Sequence, residues 1–115
     1  MKITTWNARD LNAPSKKRLL IQNLKLFDSN IIMLQETKLN KEKGIRLEKK
    51  LSRWNSYLQE SRGASGGLGI IWNPRKVILN IIKSRHSWIN NKIKGIKSNL
   101  QFILINVYGL IQNVD

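Results

Sequence analysis

Two polar residues of this 115-residue chain stand where apolar runs give out. Asn7 closes the run Lys2-Ile-Thr-Thr-Trp-Asn7, and Glu36 follows Ile31-Ile-Met-Leu-Gln35. Glu36 is the one acid of the chain that directly follows a strongly apolar strand pattern. A carboxylate at the end of a buried strand needs a cation or hydrogen-bond donors to stay charged. Magnesium takes oxygen ligands and commonly uses one or two carboxylates with water and substrate phosphate, so Glu36 suits a Mg2+ ligand, with Mn2+ as a substitute. Asn7 could orient a neighbouring ligand or a phosphate. A plainer reading stands beside this one, in which Glu36 caps a turn or pairs with Lys38.

Other residue types narrow the chemistry. Cysteine is absent, which excludes disulfides, zinc–thiolate sites, iron–sulfur clusters and cysteine nucleophiles. His86 is the only histidine, and the expected role is an ordinary one in a loop or strand. Gly63, Gly66, Gly67 and Gly69 lack the Gly-Lys-Ser/Thr ending of a phosphate-binding loop, so they read as a hairpin turn feeding a strand over residues 68–72. Lys16-Lys17-Arg18 opens a helix, where positive charge opposes the dipole; these side chains either contact DNA phosphates or are simply solvated. Tryptophans stack well on bases, but Trp6 and Trp72 lie in apolar strands and read as core.

The charge says what kind of partner to expect. Lys and Arg number 21 against 7 Asp and Glu, a formal net charge of +14, and residues 1–60 and 61–115 each carry half of it. So even a spread marks a basic folded surface rather than a basic tail, and it favours a polyanionic partner, either nucleic acid or an anionic membrane surface, with DNA the partner expected. No apolar run reaches the roughly 18–20 residues that span a bilayer, so no membrane-spanning segment is expected, and no membrane is counted among the partners. With 41% hydrophobic residues the chain can form a core.

The elements that must position Asn7 and Glu36 follow from periodicity. A strand at Lys2–Asn7 leads through the loop of Asp10, Asn12 and Pro14 into a helix, capped by Ser15 and running to Phe27 with Leu20, Leu24 and Phe27 on one face. The continuous apolar run 31–34 suits a strand buried on both faces, so residues 2–35 read as one β-α-β unit with parallel strands. Their carboxyl ends then share one side of the sheet, where α/β sheets bind ligands. A second helix is expected over residues 41–53, with Leu47, Leu51 and Trp54 on one side and Glu42 paired to Arg46. Strands are expected over 56–61, 67–72, 77–84 and 102–108, forming an antiparallel meander, with a polar break over 90–99. The fold class is α/β, a layered domain.

Four segments carry a resemblance: Thr5-Trp-Asn-Ala-Arg-Asp-Leu-Asn12, Ile32-Met-Leu-Gln-Glu-Thr-Lys38, Ser65-Gly-Gly-Leu-Gly-Ile-Ile-Trp72 and Ile105-Asn-Val-Tyr-Gly109. In this order they resemble the endonuclease/exonuclease/phosphatase superfamily, and more narrowly the endonuclease domain of LINE-type retrotransposons. The resemblance implies a two-sheet α/β sandwich with a Mg2+-dependent DNA phosphodiesterase site at one end, acting in the nucleus where the substrate is genomic DNA. It gives Asn7 the role of holding a catalytic aspartate and the phosphate, Glu36 that of metal ligand, and Tyr108 that of hydrogen-bonding the scissile phosphate. The family's later Asp-x-Asn pair and its terminal Asp-His pair have no counterpart here, so residues 1–115 read as an incomplete sandwich, the N-terminal half of such a domain. His86 is not the family histidine. Glycine is usual where Asp10 stands, which implies a backbone with φ above zero there, and proline where Leu110 stands.

Residues of one catalytic unit are strongly non-additive, so the polypeptide alone is expected to show little or no nuclease activity. Two other readings compete: a non-enzymatic, basic nucleic-acid-binding fragment, and a non-functional retroelement relic. A half-sandwich is also expected to leave an apolar sheet face uncovered, open to self-association.

Overall fold

In the computed structural model, which describes residues 1–26, 28–62 and 66–108, the chain forms three layers: two helices, a four-stranded sheet and a three-stranded sheet. The element order is β1 (Ile3–Asn7), α1 (Pro14–Leu26), β2 (Ile31–Gln35), α2 (Lys41–Lys50), β3 (Asn55–Gln59), β4 (Leu68–Trp72), β5 (Val77–Arg85), β6 (Trp88–Gly95) and β7 (Gln101–Val107).

The β-α-β unit stands as the pattern predicts. β1 and β2 are parallel, in a register that sets Ile3 against Ile31 and Asn7 against Gln35. The run in β2 is apolar throughout because both of its faces are buried. Ile32 and Leu34 join Leu20 and Leu24 of α1 and Leu47 of α2 on one side. Ile31, with Met33 packed beside it, meets Val77, Leu79 and Ile93 of the second sheet on the other. Full burial of each such side chain contributes roughly 1.5–3 kcal/mol.

Helix boundaries differ from the sequence expectation by single turns. α1 starts at Pro14, whose missing N–H costs nothing in the first turn, rather than after a Ser15 cap. Phe27 lies outside the described residues. α2 begins on the Asn40 cap, whose Oδ1 accepts from the Lys43 amide, and ends at Lys50, before Trp54. The Glu42–Arg46 pair forms at 2.8 Å on an exposed face.

The second half departs from a single meander. β3 and β4 are antiparallel to each other and belong to the first sheet, in the order β1-β2-β4-β3; only β5-β6-β7 is an uninterrupted meander. The polar break expected over 90–99 is largely strand β6. Its inward positions read Ile89, Asn91, Ile93, and the buried Asn91 interrupts the alternation that would have revealed it. That amide is accommodated because Nδ2 donates to the Ile89 and Leu104 carbonyls.

The expectation of an uncovered sheet face also changes place. The two sheets cover each other's inner faces, and Ile78, Ile82, Ile103, Ile105 and Val107 are exposed apolar side chains on the outer face of the second sheet. No helix among the described residues is long and apolar enough to cross a membrane.

Candidate functional site

Parallel pairing puts the ends of β1 and β2 side by side, and the loops leaving them are laced together. The Ala8, Asp10 and Leu11 amides donate to the carbonyls of Gln35, Glu36 and Thr37, each at 2.9 Å. The second loop is pinned in turn to the start of β4: Thr37 donates to the Gly67 carbonyl at 3.1 Å and Lys38 to that of Gly66 at 2.9 Å. Arg9, Asp10, Glu36 and Lys38 all adopt left-handed backbone, with φ of 53°, 117°, 50° and 53°. Each such residue costs on the order of 1–3 kcal/mol and persists only where its surroundings over-determine it. The positive φ at position 10 is the one the resemblance implied. Gly67, at φ 91°, is required: a Cβ there would run into Thr37 Oγ1 and lie 3.0 Å from the Lys38 nitrogen.

The three residues singled out in the sequence fall along one edge of the molecule. Asn7 is exposed, and its Oδ1 accepts from the Arg9 amide at 3.1 Å. Glu36 is partly exposed, and among the described residues its carboxylate makes no hydrogen bond or ion pair. It neither caps a turn nor pairs with Lys38. Tyr108 directly follows β7, and its amide donates to the Ser87 carbonyl at 2.8 Å. Ser87 belongs to the two-residue turn between β5 and β6, where His86 also sits. The imidazole lies against Gly66, with Cε1 3.1 Å from where a Cβ would stand. Gln59 ties the same turn to the first sheet through the Arg85 carbonyl and the Ser84 hydroxyl. The strand-end loops of both sheets thus form a continuous rim, from Asn7 through Glu36, Gly66 and His86 to Tyr108. Gly63 and Ser65 of the glycine-rich stretch, and Gly109 and Leu110 after the tyrosine, lie outside the described residues.

Two residues given no role in the sequence hold this rim together. Asn106 is buried, and its Nδ2 donates to the carbonyls of Leu34 at 3.1 Å and Gly69 at 2.8 Å. Its Oδ1 accepts from Gln35 Nε2 at 2.8 Å, and the same nitrogen donates to Thr5 Oγ1 at 2.9 Å. This amide cluster joins β7 to β2 and β4, one residue from Glu36 and two from Tyr108. The signal was an asparagine inside the apolar run 102–107, because a polar side chain inside a packed strand must find partners.

Cations flank the rim beside the carboxylates of Asp10 and Glu36. Arg9 and Lys38 stand on its loops, and Lys16 Nζ donates to the Ala8 carbonyl at 2.8 Å, so the first of the three helix-start cations is a loop clamp. Asp10 holds its proton less tightly than an ordinary carboxyl. The Asn12 amide and side chain donate to it, and Lys38 and Lys16 add their charge. As a metal centre the rim offers a minimal donor set. Among the described residues no three His, Asp or Glu side chains gather. The Glu36 carboxylate, partly exposed and unpartnered, fits the single-carboxylate mode of Mg2+ binding.

No protein-family model matches the sequence, and no curated protein does. Solved structures do. A 3′ phosphatase from Neisseria bound to a product DNA hairpin is 26% identical, with TM-score 0.62, covering 94% of this chain and 41% of that one. An AP endonuclease from Leishmania major has TM-score 0.70 at 15% identity, covering 92% and 39%. An endonuclease/exonuclease/phosphatase family protein from Bacteroides thetaiotaomicron has TM-score 0.62 at 12% identity, covering 90% and 48%. The α/β architecture is therefore a partial endonuclease/exonuclease/phosphatase fold, and the chain spans less than half the length of the structures it matches.

Proposed function

We propose that this chain supplies the first part of a divalent-metal-dependent DNA phosphodiesterase site, of the type found in LINE retrotransposon endonucleases. The observation that carries the reading is the unpartnered Glu36 carboxylate beside Asn7, at adjoining strand ends of a fold shared with DNA-processing enzymes. Glu36 would hold Mg2+ or Mn2+, and the bound ion would supply Lewis-acid stabilisation of charge on the phosphate. With its Oδ1 turned to Arg9, Asn7 keeps both amide hydrogens for a phosphate oxygen. The Tyr108 hydroxyl would donate to the same group, and Arg9 and Lys38 would attract the backbone.

The chain's residues at the rim thus bind and orient a phosphodiester, but the described ones gather no second carboxylate–histidine set to move the nucleophile's proton. We therefore expect the 115-residue polypeptide to cleave DNA weakly or not at all. The net charge of +14 favours a second reading, in which this polypeptide only binds nucleic acid. Plasmid nicking in Mg2+ and DNA binding across a salt series, on the intact chain and on Glu36→Ala, test both. The nuclease reading expects trace nicking that Glu36→Ala abolishes while binding stays. Nicking that survives the substitution refutes the role of Glu36. Metal-independent binding with no nicking supports the second reading, and failure to bind DNA removes both.

A further inference from the structure

At the other end of the strands, roughly 20 Å from the rim along the seven residues of β7, lies a cleft that the phosphodiesterase reading does not use. Its volume is about 510 Å³, within the range of about 300–1,000 Å³ usual for small-molecule sites. Three turns build it. The Asn30 amide donates to the Lys2 carbonyl at 2.8 Å, and the Asn73 amide to the Asn30 carbonyl at 2.9 Å. The Ile96 amide reaches the Lys76 carbonyl at 3.0 Å, and Gly95 that of Leu100 at 3.0 Å. A Cβ at Gly95 would strike Ser98 Oγ, so a larger residue there would turn the Ser98 hydroxyl aside.

The lining has two chemistries. Arg75, Lys76 and Lys97 supply three cations, and among the described residues no carboxylate lines the cleft. Met1, Ile96 and Leu100 supply apolar surface, each 45–50% exposed. Lys76 meets Asp28 at 3.4 Å, but the Asp28 side chain is 88% exposed, and surface pairs of that kind yield easily to a better anion. An apolar ligand would leave the cations unanswered, and a bare anion would leave Ile96 and Leu100 in water. A phosphate monoester carries close to two negative charges and matches the guanidinium fork of Arg75. We propose that this cleft binds a phosphate monoester with an apolar body, either a free organic phosphate or the headgroup of an anionic lipid.

Phenyl phosphate titrated into the isotope-labelled full chain should shift the amides of Asn30, Gly95 and Ser98 saturably and leave those of Glu36 and Tyr108 in place. Arg75→Ala with Lys97→Ala should weaken this binding at least about tenfold, equivalent to about 1.4 kcal/mol. Lys49→Ala with Lys50→Ala, which removes the same charge from α2, should not change it. Ile96→Ser with Leu100→Ser should bring phenyl phosphate down to the affinity of inorganic phosphate. Dihexanoyl phosphatidic acid as monomer, and vesicles containing phosphatidic acid, distinguish the two sources: vesicle binding lost in the Arg75/Lys97 variant assigns the lipid. The proposal fails if inorganic phosphate binds as well as phenyl phosphate to the unaltered chain, if the two paired variants behave alike, or if the shifts fall only on the rim.

Discussion

Replacing Asn106 with alanine tests the account of how the two sheets are fastened. The side chain is 1% exposed and makes three hydrogen bonds, to Leu34, Gly69 and Gln35, at 2.8–3.1 Å. Each such bond contributes about 1 kcal/mol net, and a buried partner left unpaired adds its own penalty, so the expected loss is roughly 2–4 kcal/mol. For a domain of this size that lowers the melting temperature by about 8–16 °C. Urea unfolding at constant m-value, followed by tryptophan fluorescence, is the assay. Asn106→Leu separates hydrogen bonding from packing, because it refills the volume and still strands the two carbonyls; it should lose about as much as alanine. If both variants fall within about 0.5 kcal/mol of the parent, the range of an ordinary surface change, the amide cluster does not hold the layers and the reasoning fails.

Gly67→Ala should destabilise by more than about 1 kcal/mol, since it combines a left-handed backbone with a collision against Thr37; amide spectra should show the disturbance centred on Thr37 and Lys38. Asp10 predicts an acid limb. Its folded pKa lies below the usual 3.8, so its contribution is fully present above that value and is lost as pH falls through the folded pKa. Melting temperatures measured from pH 5 downward should fall less steeply in Asp10→Asn than in the parent. The exposed stripe Ile103, Ile105 and Val107 on the edge strand β7 should support self-association, and Ile105→Lys should reduce it in sedimentation velocity; an unchanged distribution removes that stripe as the contact.

Much of the first sheet was legible because its signals are local. A continuous apolar run after an amphipathic helix can hardly be anything but a crossover strand, and parallel pairing then brings the following residues, 7 and 36, to adjoining ends. The partition of β3 and β4 into the first sheet was not legible, because antiparallel strands alternate in the same way whichever sheet they join. β6 was hidden by its own solution to burial. Asn91 looks like a loop residue until its two carbonyl partners are seen. The left-handed backbone at Glu36 and Lys38 was equally silent, since neither residue type favours it and the loop is held by partners distant in sequence, the Asp10 and Leu11 amides on one side and the Gly66 and Gly67 carbonyls on the other.

The Asn106 clasp has a consequence for the order in which the molecule assembles. Its partners Leu34, Gln35 and Gly69 lie 72, 71 and 37 residues earlier in the chain. Closing loops that long is entropically costly, and such contacts form late. On the ribosome the first sheet is complete once Trp72 has emerged, while β7 is still unmade. The clasp therefore belongs to the last contacts the chain can make, and loosening it should hasten unfolding more than it slows folding.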